Sequence, residues 1–320
     1  MSKWRWFWII TTIFGVIAFG LGAGCSNSSV ASTTQSTPVT TFDRDRAFSD
    51  LKQQVDFGYR IPGTATQVKT RDWLVAQLKP NADTVDLQPF SKQINDKNVP
   101  MWNIIATLRG TGVAPRERVL LCAHWDSRPI ADHDPDPANR TKPIPGANDG
   151  ASGVAVLLEI ARQLKAHPIA RDVTIVLFDG EDYGPNIDNM LLGSKYYAAH
   201  LPADKPNWGI LLDMVGDKDL DIPRELYSQN HAQAVNDRIW SAAYKLALMK
   251  TDTLSGFVDS TNDYEITDDH TPLNEAGIPV ADVIDFTYTP WHTISDTVDK
   301  CSPESLRIVG VAVEYAISTP

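Results

Sequence analysis

Five apolar runs rich in β-branched residues constrain the fold of this chain more than any other feature of its sequence. They lie at residues 103–108, 118–123, 173–178, 209–212 and 278–284. Each run is continuously apolar and does not alternate with polar residues, a pattern typical of strands that are buried on both faces of a sheet. The sequence therefore predicts a central sheet that is covered on both sides.

Stretches with helical periodicity lie between these runs. Residues 152–164 place apolar side chains on one helical stripe, and residues 232–249 and 304–317 show the same pattern. The last stretch also begins with a capping serine, a proline and an acidic residue, which favour a helix N-terminus. Strands that alternate with helices predict an α/β fold: a three-layer sandwich with a central mixed, mainly parallel sheet flanked by helices.

The N-terminal region departs from this pattern. Residues 1–24 combine two basic residues, a short apolar run and small residues before Cys25, which is typical of a signal peptide. A permanent membrane anchor is the alternative, and four glycines in this stretch disfavour it. Residues 25–41 are rich in Ser and Thr and predict a flexible tether. Residues 42–320 contain no such break and predict one catalytic domain.

The small residues before Cys25 resemble the lipobox of bacterial lipoproteins, in which the cysteine is lipidated. Gly22 stands where that motif usually has Leu, so lipidation of Cys25 and simple signal cleavage both stay open. Either alternative predicts export to the cell envelope or periplasm. Lipidation would add a membrane anchor at Cys25.

The charge balance excludes one class of partner. The chain has 40 acidic residues against 29 Lys plus Arg, a net charge of -11, and no long basic cluster. Such a surface repels phosphate backbones, so we expect no nucleic-acid partner. The chain also lacks the G-x-S-x-G elbow of serine hydrolases and the phosphate-binding loop of nucleotide-binding proteins.

Acids and imidazoles follow the ends of the predicted strands. The residues in question are His124, Asp149, Glu181, Asp182, Asp213 and His292. Taken singly, each is more often a turn former, a helix cap or a hydrogen-bonded core histidine. Because ligands bind at the carboxyl ends of strands in open α/β sheets, we expect these side chains to share one crevice. Another dense acidic stretch, residues 132–136, is predicted to be a solvated loop and not a second ion site.

A shared crevice would place several carboxylates together, and their mutual repulsion favours a bound divalent cation. Mixed Asp and His ligands suit Zn²⁺. Neighbouring side chains at a strand end point in different directions, so Asp182 can bind the metal while Glu181 stays off it as the proton carrier.

Six short motifs occur together and in a fixed order. They are HWDSR at 124–128, GANDGASG at 146–153, FDGED at 178–182, LDM at 212–214, DDHTP at 268–272 and WHT at 291–293. In this order they resemble the zinc aminopeptidase-like family, and within it the glutaminyl cyclase branch. The resemblance extends over residues 42–318.

This resemblance implies a role for each matched position. It implies zinc binding by Asp149, Asp182 and His292, general acid/base catalysis by Glu181, an acidic hydrogen-bond network of Asp213 and Asp268, and a substrate pocket shaped by Trp291. It also implies that His124 and Asp213 are the candidate ligands of a second metal ion. Asp182 stands where animal cyclases have Glu, which keeps the donor type and shortens its reach.

The implied activity is conversion of the N-terminal Gln of a peptide or protein substrate to pyroglutamate with release of ammonia, using one zinc ion. The main alternative is a zinc aminopeptidase with two zinc ions at the same site. The Trp directly before His292 favours the cyclase. A third alternative is a non-catalytic binding ectodomain, which the complete set of candidate ligands disfavours.

Overall fold

The computed structural model of the protein describes residues 41–319. The predicted signal peptide, Cys25 and all but the last residue of the predicted tether lie outside the described residues. Within residues 41–319, no helix combines the length and the apolar character that crossing a bilayer requires.

The strands form one large and one small sheet. Their bounds are β1 Thr84–Ile94, β2 Lys97–Leu108, β3 Arg118–His124, β4 Asp172–Phe178, β5 Trp208–Asp213, β6 Asp221–Arg224, β7 Gly256–Thr261 and β8 Val280–Ile284. The six-stranded sheet has the order β1-β2-β4-β3-β5-β8. The β4, β3, β5 and β8 strands pair in parallel, whereas β2 pairs antiparallel with both β1 and β4. The predicted mixed, mainly parallel sheet is confirmed.

Helices cover both faces of this sheet. Their bounds are α1 Arg44–Asp56, α2 Ala65–Leu78, α3 Ala151–Ala166, α4 Leu192–Ala199, α5 Leu226–His231, α6 Gln233–Lys245, α7 His270–Glu275 and α8 Pro303–Ser318. One apolar cluster lies on one face of the sheet and includes side chains of five helices, α1, α2, α3, α6 and α8. A second cluster lies on the opposite face and includes side chains of α4 and α7. This arrangement is the predicted three-layer sandwich.

The β3 strand shows why the central strands are apolar throughout. Val119, Leu121 and Ala123 belong to the larger cluster, and Leu120 and Cys122 belong to the cluster on the other face. Successive side chains of a strand point to opposite faces, so a strand with both faces buried must be apolar at every position.

Two predicted elements differ from the structure. The helix expected over residues 232–249 ends at Lys245, because the chain turns at Ala247 with a φ of 55° and Met249 then pairs with Phe257 in a β-bridge. The strand expected over residues 103–108 is only the second half of β2. The whole of β2 up to Thr107 pairs with the edge strand β1, whereas only residues 104–108 pair with β4. The β1 strand has mixed burial and mixes polar with apolar residues, so it lacks the continuous apolar pattern.

The topology fixes where a ligand can bind. The chain passes from β3 through α3 to β4 on one side of β3, and β5 lies on its other side. Connections that leave two neighbouring parallel strands in opposite directions open a crevice at their carboxyl ends. The crevice between β3 and β5 is therefore where functional residues are expected.

Candidate metal centre and active-site pocket

The residues predicted from the strand ends occupy this crevice. His124 and Asp213 are the last residues of β3 and β5, and Asp149 lies in the turn before α3. Glu181 and Asp182 follow β4, and all five side chains are buried or nearly so.

One group of three donors consists of Asp149, Asp182 and His292, whose ligating atoms all lie within 4.8 Å of one another. His292 Nε2 is 3.2 Å from Asp182 Oδ1 and 3.7 Å from Asp149 Oδ2. Asp149 Oδ2 and Asp182 Oδ2 are buried without a hydrogen-bond partner. Buried carboxylate oxygens are costly when they are left unpaired. Two such oxygens beside an imidazole fit a zinc ion in both geometry and ligand type.

A second group of donors shares Asp149. His124 Nε2 is 3.2 Å from Asp149 Oδ1 and 3.1 Å from Asp213 Oδ1, and the three ligating atoms again lie within 4.8 Å of one another. Asp149 thus presents one carboxylate oxygen to each group. The donor groups would suit one ion, or one ion at each group.

Two buried carboxylates hold the turns that carry these residues. Asp126 accepts hydrogen bonds from the backbone N–H groups of Glu181 and Asp182, at 3.1 and 3.2 Å. Asp296 does the same for Asn148 and Asp149, at 2.9 and 3.2 Å. Each carboxylate thus holds two successive backbone amides in place. This fixes the backbone that carries Asp149, Glu181 and Asp182 and, with it, the direction of their side chains.

The crevice contains a pocket of about 240 Å³. Its walls include both carboxylates of the first donor group, His292, Glu181, Asp213 and Asp268, together with Trp291 and Phe286. Burial and the charge of Asp182 raise the pKa of Glu181 well above its usual range. Burial and the charge of Asp213 raise the pKa of Asp268 to about 7. Carboxyl groups with such raised pKa values are suited to accept and return protons near neutral pH.

Trp291 forms an apolar wall directly against the donor group of Asp149, Asp182 and His292. Its ring stacks on the His292 imidazole with centroids 4.0 Å apart, and Phe286 packs against it at 4.8 Å. A wide aromatic surface at this place restricts the shape of any side chain that approaches the donors.

The structure adds a buried polar cluster that sequence reasoning missed. His270 lies behind Asp268 and is fully buried, with Nε2 3.3 Å from Glu225 Oε2 and Nδ1 3.8 Å from Asp282 Oδ2. Glu225 also accepts hydrogen bonds from the N-terminus of α5. These residues are distant in sequence, and only the DDHTP motif at 268–272 hinted that one of them adjoins the site.

The prediction of a solvated loop at residues 132–136 is wrong for part of that stretch. Asp134 is 3% exposed and accepts hydrogen bonds from the backbone of Asp136 and Ile294. Asp132 pairs with the buried Arg128. The loop is rich in acids because its carboxylates bind chain segments around the site. A solvated loop has the same composition, so the burial of Asp134 could not be predicted from composition alone.

The two cysteines within residues 41–319, Cys122 and Cys301, are both buried and unpaired. Burial raises the pKa of each thiol well above its usual value. Neither thiol is therefore suited to nucleophilic catalysis.

Comparison with known proteins agrees with this geometry. Residues 103–317 match the model of peptidase family M28. A Zn-dependent exopeptidase from Parabacteroides distasonis shares 34% identity, with a TM-score of 0.80 over 88% of this chain and 100% of that chain. A glutaminyl cyclase from Bacteroides thetaiotaomicron, solved with bound N-acetylhistamine, shares 35% identity, with a TM-score of 0.80 over 88% of this chain and 99% of that chain.

Among characterised sequences, the aminopeptidase YwaD of Bacillus subtilis is 30% identical over 243 residues, which are 73% of this chain and 46% of that protein. The chain thus spans about half the length of this relative. Similarity to bacterial glutaminyl cyclases and to a Zn-dependent exopeptidase confirms the predicted aminopeptidase-like fold, and the family match supports zinc as the metal. The chain belongs to peptidase family M28, a family of zinc-dependent enzymes.

Proposed function

We propose that the protein is a glutaminyl-peptide cyclotransferase, which converts an N-terminal glutaminyl residue to pyroglutamate and releases ammonia. One observation carries the proposal: a single pocket joins Glu181, Asp213 and Asp268 to the donor group of Asp149, Asp182 and His292, with Trp291 as its apolar wall. The structural similarity to bacterial glutaminyl cyclases supports it.

In this proposal Asp149, Asp182 and His292 hold the zinc ion. When bound, zinc supplies a Lewis acid that polarises the side-chain carbonyl of the glutaminyl residue. The nucleophile is the α-amine of the same residue, so the main task of the pocket is to hold the folded conformer in which amine and carbonyl carbon approach each other. Trp291 restricts the pocket to such a compact shape.

The protons then have to be moved within the substrate. A bond forms between the α-nitrogen and the side-chain carbonyl carbon, and the bond from that carbon to the amide nitrogen breaks. Glu181 takes one proton from the attacking amine and delivers it to the leaving nitrogen, which departs as ammonia. Asp213 and Asp268 lie on the same pocket wall and stabilise the positive charge that develops on these nitrogens.

A zinc aminopeptidase is the second candidate, and one observation favours it. His124 and Asp213 complete a second donor group around Asp149, as a site with two metal ions requires. In that case Glu181 activates water, and the N-terminal residue is released by hydrolysis.

A direct comparison of two peptides separates these functions. The zinc-loaded protein is incubated with a peptide that begins with Gln and with the same peptide beginning with Leu. The cyclase releases ammonia and a pyroglutamyl peptide from the first and leaves the second intact. Free leucine without pyroglutamyl product would overturn the cyclase in favour of the peptidase. Failure of the purified protein to take up any zinc would instead favour the non-catalytic ectodomain.

We also propose that the protein is exported to the cell envelope or periplasm and is held there through Cys25. The support is the pattern of residues 1–25, which lie outside the described residues. Cys25→Ser tests the anchor: lipidated protein should move from the membrane fraction to the soluble periplasmic fraction. Wild-type protein that is already in the soluble periplasmic fraction would leave simple cleavage as the explanation.

A further inference from the structure

Arg128 joins two carboxylates that belong to different parts of the site. The guanidinium group is 3% exposed and donates two hydrogen bonds to Asp132, at 2.8 and 2.7 Å. Its remaining nitrogen donates to Asp182 Oδ1 at 2.6 Å. A planar guanidinium fixes both distance and angle in such a fork, which a lysine ammonium cannot do. The orientation of Asp182 is therefore tied to that of Asp132.

Asp132 in turn faces the imidazole of His292. Its Oδ1 is 3.6 Å from His292 Nδ1, and this nitrogen is buried without a hydrogen-bond partner. His292 Nε2 points the other way, toward Asp182 and Asp149. A histidine that binds metal through one nitrogen usually donates its other N–H to a carboxylate, which fixes the ring orientation. Asp132 is placed to be that carboxylate after a small adjustment.

The backbone of the same loop is bound to the chain around His292. His133 N–H donates to the carbonyl of His292 at 3.2 Å, and Asp134 accepts the N–H of Ile294 at 3.1 Å. His292 has a φ of 54°, a left-handed conformation that is unfavourable for a residue other than glycine. Such a conformation persists only where neighbouring contacts hold it, and the docked loop provides them.

We propose that Arg128 and Asp132 are positioning residues, which hold Asp182 and His292 in the orientation that zinc binding requires. The proposal rests on the assignment of these two residues as zinc ligands in the proposed function. Neither Arg128 nor Asp132 lines the pocket. They therefore affect turnover only by orienting Asp182 and His292. Loss of either should change zinc affinity before it changes substrate binding.

The test is a measurement of the zinc dissociation constant by competition with a chelating dye. Asp132→Asn keeps the shape of the side chain and removes its charge, and Arg128→Lys keeps the charge and removes the fork. We expect each to weaken zinc binding roughly 10- to 100-fold, as loss of such outer partners typically does. Asp136→Asn is the matched control: it changes an exposed carboxylate of the same loop and should leave zinc affinity unchanged.

One further measurement separates weaker zinc binding from loss of folding. Circular dichroism at the assay temperature should show the zinc-free Asp132→Asn variant folded like the zinc-free wild type, so that weaker zinc binding reports on positioning and not on unfolding. This holds even where the loss of the ion pair with Arg128 lowers the unfolding temperature. If Arg128→Lys fails to fold, Asp132→Asn alone decides. Wild-type zinc affinity in Asp132→Asn would overturn the proposal.

A ligand variant distinguishes this failure from failure of the proposed site. If Asp182→Ala abolishes zinc binding while the positioning variants bind normally, only the positioning role is wrong. If Asp182→Ala itself binds zinc as the wild type does, the ligand assignment is wrong and the proposed site with it.

Discussion

Neighbouring carboxylates in this site differ in function because different groups contact them. Asp182 is held by the guanidinium of Arg128 at 2.6 Å, which fixes one oxygen and counters part of the rise in its pKa that burial causes. Glu181 is next in sequence, but its closest cationic partner is His124 Nδ1 at 3.8 Å. Its carboxyl group therefore meets a burial cost that is poorly compensated, and its pKa rises. The first suits a metal ligand and the second a proton carrier.

Replacing Glu181 tests this division of roles. Glu181→Gln keeps the side-chain volume but cannot accept a proton, so we expect turnover to fall by roughly 10²- to 10⁴-fold. Zinc content, measured by atomic absorption, should remain that of the wild type. Glu275→Gln, an exposed position on α7, should leave both quantities unchanged. Loss of zinc in Glu181→Gln would show that Glu181 is a ligand and that the roles of the adjacent acids are reversed.

At the level of secondary-structure elements, the join between β3 and α3 is the most tightly constrained part of the site. Gly150 precedes α3 with a φ of 94°. A Cβ at this position would lie 2.6 Å from the carbonyl oxygen of Asp126 and 3.0 Å from His124 Cε1. Only glycine allows the helix to start this close to the end of β3, which brings Asp149 beside His124.

Gly150→Ala should therefore both destabilise the protein and disturb the site. The left-handed backbone alone costs an alanine about 1–2 kcal/mol, and the contacts with Asp126 and His124 add to it. Gly58→Ala is the matched control, because Gly58 has a φ of 101° and a Cβ there would meet nothing closer than 3.9 Å. Chemical denaturation should show a larger loss for Gly150→Ala, with weaker zinc binding in that variant only. Equal losses in the two variants would mean that the β3–α3 contact is not tight.

The contact between α3 and α8 buries two acids near each other. Glu314 on α8 is 7% exposed, and burial together with the charge of Glu159 raises its pKa to about 8. In the unfolded chain a glutamic acid titrates near its ordinary pKa of about 4.3. Between these values the native state binds more protons than the unfolded state, so this group lowers the free energy of unfolding as pH rises from about 4 to 8.

Glu314→Gln should remove that pH dependence. Near pH 4 the variant and the wild type should have similar stability, because Glu314 is protonated in the native state and largely so in the unfolded state. At pH 8 the variant should be the more stable, with the difference growing by at most about 1.4 kcal/mol per pH unit. Urea denaturation across this range measures it, with Glu275→Gln as the exposed control. A constant difference at all pH values would contradict the buried charge as its cause.

Sequence reasoning predicted the elements whose burial produces a simple pattern of apolar residues in the sequence. The strands β3, β4 and β5 are buried on both faces and were predicted within one or two residues. The edge strand β1 has mixed burial and went unpredicted. The strand ends carried the donor residues, but the link from Arg128 to Asp182 and the burial of His270 depend on contacts between distant segments. No local pattern encodes such contacts.

At the scale of the whole molecule, folding brings many carboxylates together in one crevice, where a bound cation would neutralise part of their charge. Residues at the carboxyl ends of β4, β5 and β8 line the pocket together with residues of the connecting segments, and the charge balance of the chain is already acidic. Folding without a cation brings these carboxylates together against their repulsion. In the proposed function zinc binds the assembled site and has no comparable site in the unfolded chain, so binding and folding would be linked.

Removal of zinc should therefore lower the stability of the entire domain as well as abolish turnover. With free zinc at 1,000 times its dissociation constant, linkage contributes about 4 kcal/mol to the free energy of unfolding. We expect thermal unfolding with chelator to occur at a clearly lower temperature than with zinc, while circular dichroism at 25 °C shows the same secondary structure. Asp182→Ala should unfold at one temperature in both conditions, whereas Asp136→Asn should retain the wild-type difference. Lower pH should reduce the zinc effect, because the ligands must be deprotonated to bind. An unfolding temperature of the wild type that is independent of zinc would show that the ion does not stabilise this assembly of charges.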